Sequence, residues 1–386
     1  MARVRRVIDE GRAFYERLLA ENDVLRVRSH ARFRAGALVV GDEDGETELR
    51  GIPTVLAVGA RPWIAPIPGL ARASYLTSDD LLDLTDLPKS LVIGGAGPIA
   101  CEFAQALNRL GVEITMVLRS ETPLRGEEPE ARETLMRVLT HEGVRVVTGV
   151  REIRARDVPG GTELAWIGGS ATAEALLIAT GREPRVDETD PAEAGIALAD
   201  GGARVDAHLE TTAHGIWALG DAIGGDHRRF QFTHVATHEG PQVADNALRG
   251  AHHEPAYTAM PRVTFTDPEV AAIGLTEAEA QGRGINVHTH VKLIRELGKA
   301  RALGETEGFV KVVIDGASGK LIGATVMAAH AGDMLGALTM PLHTRNGDLG
   351  PLLATTFAHP TLSEAIKVAV RDGVASAPAP EAEMTT

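Results

Sequence analysis

Leu91-Val92-Ile93-Gly94-Gly95-Ala96-Gly97-Pro98-Ile99-Ala100 is the stretch that decides the fold. Three consecutive apolar residues read as a fully buried strand, and residues 101–110 read as the helix that follows it. Between them Gly95-x-Gly97-x-x-Ala100 fits the G-x-G-x-x-G/A dinucleotide fingerprint. Gly95 makes the tight turn, Gly97 lets backbone N–H groups approach a pyrophosphate, and Ala100 permits close packing of helix on strand. The anion then rests on the positive end of the helix. Such a motif is weak alone. Here Gly111 closes the helix before a second strand at 113–118, so the βαβ context is met.

The end of that second strand bears on cofactor choice. An NAD site places a carboxylate there for the ribose 2′-hydroxyl. This chain has Leu118 followed by Arg119, with Arg125 six residues further on across a turn. Two guanidinium groups so placed suit a 2′-phosphate, which points to NADPH. The alternative is a pair of solvated surface arginines. Cys101, at the packed side of the helix start, reads as a small core residue rather than a nucleophile.

Working outward, residues 3–28 read as a helix with Val7, Phe14, Leu18 and Leu19 on one side. A hairpin is expected with strands at 37–40 and 47–50, then a short strand at 54–58 that ends in Gly59. The proline-rich run 61–69 can be neither helix nor central strand. A second helix is expected over 128–143, with strands at 144–147 and 176–179. From Tyr257 the character changes to strands at 262–265, 286–291, 309–314 and 321–326 flanked by helices, which suggests a separate α+β domain. The Ala/Pro/Glu/Thr-rich end, 373–386, is expected to be disordered.

Bulk composition narrows the partners. The 386 residues suffice for two or three domains, and aromatic residues make up only 4%. A net charge of −14 disfavours nucleic acid and anionic membrane surfaces, so neither is expected as a partner. No apolar run could span a bilayer and the first residues do not read as a secretory signal, so a cytoplasmic location is expected. There is one cysteine, so no disulfide can form within these residues. His252-His253 and His288-x-His290 lack recognisably spaced further ligands, and no metal is expected.

With these motifs in view, the chain resembles the pyridine nucleotide–disulfide oxidoreductases, the family of glutathione reductase, dihydrolipoamide dehydrogenase and mercuric reductase. The resemblance covers nearly all of residues 1–372. Leu56-Ala57-Val58-Gly59 is similar to the family's first Ala-Thr-Gly strand end, with Val58 in place of Thr, and Ala179-Thr180-Gly181-Arg182 is similar to the second. Trp217-Ala218-Leu219-Gly220-Asp221-Ala222 resembles the second flavin motif, whose aspartate binds the ribityl chain of FAD; a helix-capping role is the alternative for Asp221. The run His234-Val235-Ala236-Thr237-His238-Glu239-Gly240 resembles the helix start beside the isoalloxazine. Phe357-Ala358-His359-Pro360 through Glu364 resembles the segment in which a His serves as acid/base toward the partner subunit's dithiol and a Glu orients it. The alternative is a histidine in a turn before a helix.

The resemblance implies an α/β fold, a Rossmann-like dinucleotide-binding domain inserted in a partial FAD domain, followed by an α+β dimerisation domain. The expected boundaries are 1–75 and 187–256 for the FAD-domain parts, 76–186 for the NADPH domain and 257–372 for dimerisation. It implies a homodimer that passes electrons from NADPH through FAD to a small-molecule acceptor. The family's first FAD-binding βαβ and its Cys-x-x-x-x-Cys helix have no counterpart in the sequence, so truncation at the N-terminus is expected. A non-catalytic dimeric NADPH-binding module is the competing reading.

Overall fold

Short apolar runs bounded by glycine turns build the molecule. The computed structural model describes residues 2–42, 45–344 and 347–376. These fall into two compact units: described residues within 2–65, 77–87 and 181–256 form one, and those within 66–76, 88–180 and 257–376 the other.

In the second unit, Ser90–Gly94 carries Leu91, Val92 and Ile93, all at most 1% exposed. Full burial of each such side chain contributes about 1.5–3 kcal/mol. The strand is buried on both faces because it is central to a parallel four-stranded sheet. Ala175–Ile178 lies on one side of it, and Glu113–Val117 then Arg145–Val147 on the other. Helices Pro98–Arg109 and Pro129–His141 begin with Pro, whose fixed φ suits a first helical turn. A three-stranded antiparallel meander, Arg154–Val158, Gly161–Trp166 and Gly169–Ala173, follows.

The C-terminal part of the same unit is a five-stranded antiparallel sheet. Its order is Arg262–Thr264, Glu269–Gly274, Leu321–Ala328, Phe309–Asp315, Val287–Leu293. Helices Ala331–Thr344 and Glu364–Ser376 pack on it. Val310, Val312, Ile314, Ala324 and Val326 join Leu335, Leu338, Ile366 and Val370 in one core. Strand Glu269–Gly274 was not expected. Its Ala271 and Ala272 are weak strand formers, and only the flanking strands make the segment extended. Helix Glu364–Ser376 passes the boundary expected at 372, and residues 377–386 of the expected disordered tail lie outside the described residues.

In the first unit the strand Thr54–Leu56 runs parallel to Ile216–Ala218, and Ala60–Pro62 pairs antiparallel with Arg182–Pro184. The core here joins Phe33, Leu56, Val186, Trp217, Ile223 and Val243. The expected hairpin is the outer part of a three-stranded sheet, since His30–Arg34 pairs with Ala37–Asp42 as well. The first helix, Ala2–Glu21, is shorter than the sequence suggests. Asn22 bonds back to the Leu18 carbonyl and Asp23 adopts φ 54°, a conformation that Asp tolerates and that ends a helix. No residue of this helix is buried.

Candidate functional site

The glycine turn sits where the central strand of the parallel sheet meets helix Pro98–Arg109. Gly95 has φ 156°, and a Cβ there would lie 2.3 Å from the Ala179 carbonyl oxygen. Ala100, fully buried, closes the helix onto the strand. Gly97 is the helix N-cap and no side chain caps it; a Cβ there would meet nothing within 4 Å. The first turn of this twelve-residue helix is thus left without a side-chain cap, the arrangement that attracts a phosphate oxygen.

The two glycines differ in a way that can be tested. Gly95→Ala is expected to cost about 1–3 kcal/mol of stability, since backbone must move to admit the methyl group. Gly97→Ala is expected to cost a few tenths of that scale, because its φ of −83° suits alanine and space is free, yet to weaken dinucleotide binding at least tenfold. Urea unfolding midpoints and nucleotide titrations of both variants check this; equal stability losses would contradict it.

Arg119 and Arg125 occupy the loop after strand Glu113–Val117. Both are exposed, and neither makes a side-chain hydrogen bond or ion pair among the described residues. The loop is nevertheless held. Leu118 N–H donates to Val147 O at 2.8 Å, Ser120 Oγ donates to Thr122 O at 2.7 Å, and Leu124, at φ 51°, donates its N–H to Ala96 O at 2.8 Å. That last bond ties the arginine loop directly to the glycine turn.

Cys101 is completely buried, and burial, with the Glu102 charge adding to it, pushes its thiol pKa up to about 12. It stays a thiol at neutral pH and packs as core. Glu102, one residue on, accepts the Phe265 N–H at 2.9 Å, and burial holds its pKa above the usual carboxylate range.

In the first unit Gly59, Gly181, Arg182, Gly220 and Asp221 lie at or just beyond the ends of the short strands, and Val235 and Ala236 lie in the first turn of helix Thr233–Arg249. Gly59 O accepts from Arg185 N–H at 3.0 Å, and Gly181 O accepts from Trp63 N–H at 2.9 Å. The Arg182 guanidinium donates to Ala60 O at 2.6 Å. Gly220, at φ 59°, packs so tightly on Ala236 that a Cβ would lie 2.8 Å from the Ala236 methyl. Val235 is fully buried beside it. Asp221 makes no hydrogen bond among the described residues, although it is half-buried. Burial raises its pKa, with Arg182 opposing, Glu239 adding and His227 opposing. It does not cap a long helix: only the three-residue turn Gly220–Ala222 contains it.

His359 and Glu364 lie in the second unit, at the start of helix Glu364–Ser376. His359 Nδ1 is 2.9 Å from Glu364 Oε1, and Glu364 Oε2 accepts Thr361 N–H at 3.0 Å. The Thr361 amide and then His359 hold the Glu364 carboxyl below its ordinary range. The imidazole remains 79% exposed, free to present Nε2 outward. No hydrogen bond or ion pair among the described residues joins this pair to the glycine turn.

Two buried charged groups lie close to these elements, Glu239 within the quoted run 234–240 and Lys311, which no motif singled out. Glu239 is fully buried: its Oε2 accepts the Gly220 N–H at 2.6 Å and its Oε1 lies 2.8 Å from His227 Nε2. Lys311, 2% exposed, meets carboxylates of Glu128, Glu130 and Glu277 at 2.8–2.9 Å. Burial works against its charge, but the three carboxylates outweigh that and raise its pKa. A lone lysine in the apolar run 309–314 was the available signal.

Residues 5–240 match the family model for pyridine nucleotide-disulphide oxidoreductases, and residues 260–370 match the model for their dimerisation domain. The chain belongs to this family. Among curated relatives, mercuric reductase of Bacillus cereus is 36% identical over 321 residues, 82% of this chain and 50% of the relative. Mercuric reductase of Streptomyces lividans is 34% identical over 365 residues, 92% of this chain and 76% of the relative. The chain spans about half the length of the Bacillus cereus and Staphylococcus aureus mercuric reductases. Of solved structures, LpdA of Mycobacterium tuberculosis superposes with TM-score 0.85 at 25% identity, covering 96% of this chain and 82% of that one. The HOCl-induced flavoprotein disulfide reductase RclA of Escherichia coli superposes with TM-score 0.79 at 26% identity, covering 91% and 79%. The mixed α/β architecture and the C-terminal sheet of this oxidoreductase-family member agree with these matches. No described helix is long and apolar enough to cross a membrane.

Proposed function

We propose that this chain binds NADPH at the Gly95–Ala100 turn, as the nucleotide site of an NADPH-dependent oxidoreductase of the flavoprotein type. The observation that carries the reading is the pair Arg119 and Arg125, without side-chain partners among the described residues, on a loop hydrogen-bonded to a glycine turn that no side chain caps. An uncapped helix N-terminus suits the pyrophosphate, and two free guanidinium groups suit a dianionic 2′-phosphate. NADPH would supply a hydride when bound. The protein's part is to hold the phosphates and so orient the nicotinamide. Calorimetric titration is expected to give NADPH at least tenfold tighter than NADH, about 1.4 kcal/mol. Equal affinities would reject the reading.

FAD fits these residues only in part. The open acceptor of Asp221, backed by the Gly220–Ala236 contact, suits hydroxyls of a ribityl chain. Among the described residues no second strand–glycine–helix cradle accompanies it for the flavin pyrophosphate. This favours, as the second reading, a dimeric NADPH-binding module without turnover of its own, a reading to which the single buried cysteine also leads.

The dimerisation-domain match supports a homodimer through residues 257–372. His359, exposed and hydrogen-bonded to Glu364, would then serve as an acid/base group toward a partner subunit. Light scattering at micromolar concentration is expected to report about twice the 40.8 kDa of one chain. A monomer would remove both the dimer and this role for His359.

A further inference from the structure

The loop that bears Arg119 and Arg125 runs directly into Glu127 and Glu128. Both carboxylates leave the parallel-sheet part of the unit and pair with the five-stranded sheet. Arg262, on strand Arg262–Thr264, donates through Nε to Glu127 Oε1 at 2.9 Å and through a terminal nitrogen to Gly274 O at 3.3 Å. Lys311, on strand Phe309–Asp315 of the same sheet, reaches Glu128 Oε2 at 2.9 Å, Glu130 Oε1 at 2.8 Å and Glu277 Oε2 at 2.8 Å. The three protons of an ammonium match three carboxylate oxygens. Glu128 uses its other oxygen to accept the Glu277 N–H at 2.7 Å, and its side chain is 1% exposed.

This is an unusual use of a sheet lysine. Val310, Val312 and Ile314 face the helix-covered core, so the period of two turns Lys311 to the opposite face. There its charge meets the N-terminal turn of helix Pro129–His141. Lys311 and Glu128 are withdrawn from water, so solvent does not compete for the bond between them. Glu127 N–H also donates to Leu124 O at 2.8 Å, and Leu124 N–H donates to Ala96 O at 2.8 Å. Arg125 stands between these two tethered residues. An unbroken series of bonds thus runs from the five-stranded sheet, through Glu127 and Glu128, to the loop and the glycine turn.

We propose that Lys311 and Arg262 are positioning residues for nucleotide selectivity, setting the path of the Arg119–Arg125 loop from the five-stranded sheet. The inference rests on the reading that these arginines hold the 2′-phosphate, and it assigns the setting of cofactor preference to a part of the chain that need not touch the nucleotide. Charge-assisted hydrogen bonds weaken steeply with misalignment. A loosened loop would lose the 2′-phosphate contacts before it lost the pyrophosphate contacts, which come from the glycine turn itself.

The experiment titrates NADPH and NADH into the full chain and into three variants: Arg262→Gln, Lys311→Met with Glu128→Gln, and Arg119→Ala with Arg125→Ala. The second combines two changes so that no new net charge is buried. The expected result is a fall in the NADPH-over-NADH preference of at least fivefold in the first two, with NADH affinity within twofold of the unaltered chain. A general structural weakening would lower both affinities together and overturn the proposal. So would an unchanged preference in Arg262→Gln, the half-buried and milder change, even if the Lys311 variant fails to fold. If the double arginine variant loses preference while Arg262→Gln keeps it, the positioning inference alone falls. If the unaltered chain shows no preference, the reading of Arg119 and Arg125 falls and takes the inference with it.

Discussion

Replacing Arg119 and Arg125 together by alanine is expected to weaken NADPH binding by about a hundredfold or more while leaving NADH within about twofold. Hydrogen bonds to charged groups contribute about 1.5–3 kcal/mol each, and a tenfold change is 1.4 kcal/mol. Neither guanidinium has another partner among the described residues, so neither must abandon one to bind and neither leaves one stranded when removed. The folded state should therefore change little: exposed substitutions with no contacts to lose stay within about 0.5 kcal/mol. The selectivity arises from charge, so rising salt should erode NADPH affinity faster than NADH affinity. Parallel titrations at two ionic strengths test both statements. A double variant that still prefers NADPH would mean that another group reads the 2′-phosphate.

The second large effect concerns turnover. By itself the 386-residue chain is expected to purify without stoichiometric flavin and to sustain no NADPH-dependent reduction of oxidised glutathione, lipoamide or Hg(II). Dithiol cycling needs two sulfurs within reach, and this sequence has one cysteine. That cysteine is wholly buried, with a pKa of about 12, so it is neither accessible nor a thiolate at neutral pH. Flavin retention should fail for a separate reason. Dinucleotides depend heavily on their pyrophosphate, and the one cradle described here stands beside arginines suited to NADPH. Asp221 and the Gly220–Ala236 contact address only the ribityl side. Losing several charge-assisted bonds at about 1.5–3 kcal/mol each weakens binding by orders of magnitude. The visible absorbance of bound oxidised flavin at one per chain, or steady reduction of any of the three acceptors, would show this wrong. Flavin without dithiol turnover would separate the two halves of the expectation.

Local pattern was sufficient wherever chemistry is local. The apolar triplet Leu91–Ile93, the glycines at 95 and 97, the alanine at 100 and the proline at the first helical position each act within one turn of chain, so the strand–turn–helix unit was legible from residue order. The same holds for the lone cysteine, a fact of composition. Tertiary structure decided what depends on distant partners. Ala271 and Ala272 are extended because two strands flank them, not because alanine prefers it. Glu239 looked like one residue in a helical run, yet it holds the Gly220 amide nineteen residues away. Lys311 interrupts an apolar strand at a position whose meaning lies in carboxylates more than 180 residues earlier. A buried charge is stable only where opposite charges meet it, and which charges meet is fixed by the packing of one sheet against another element's first turn. Sequence order names the residues; only the fold says which of them touch.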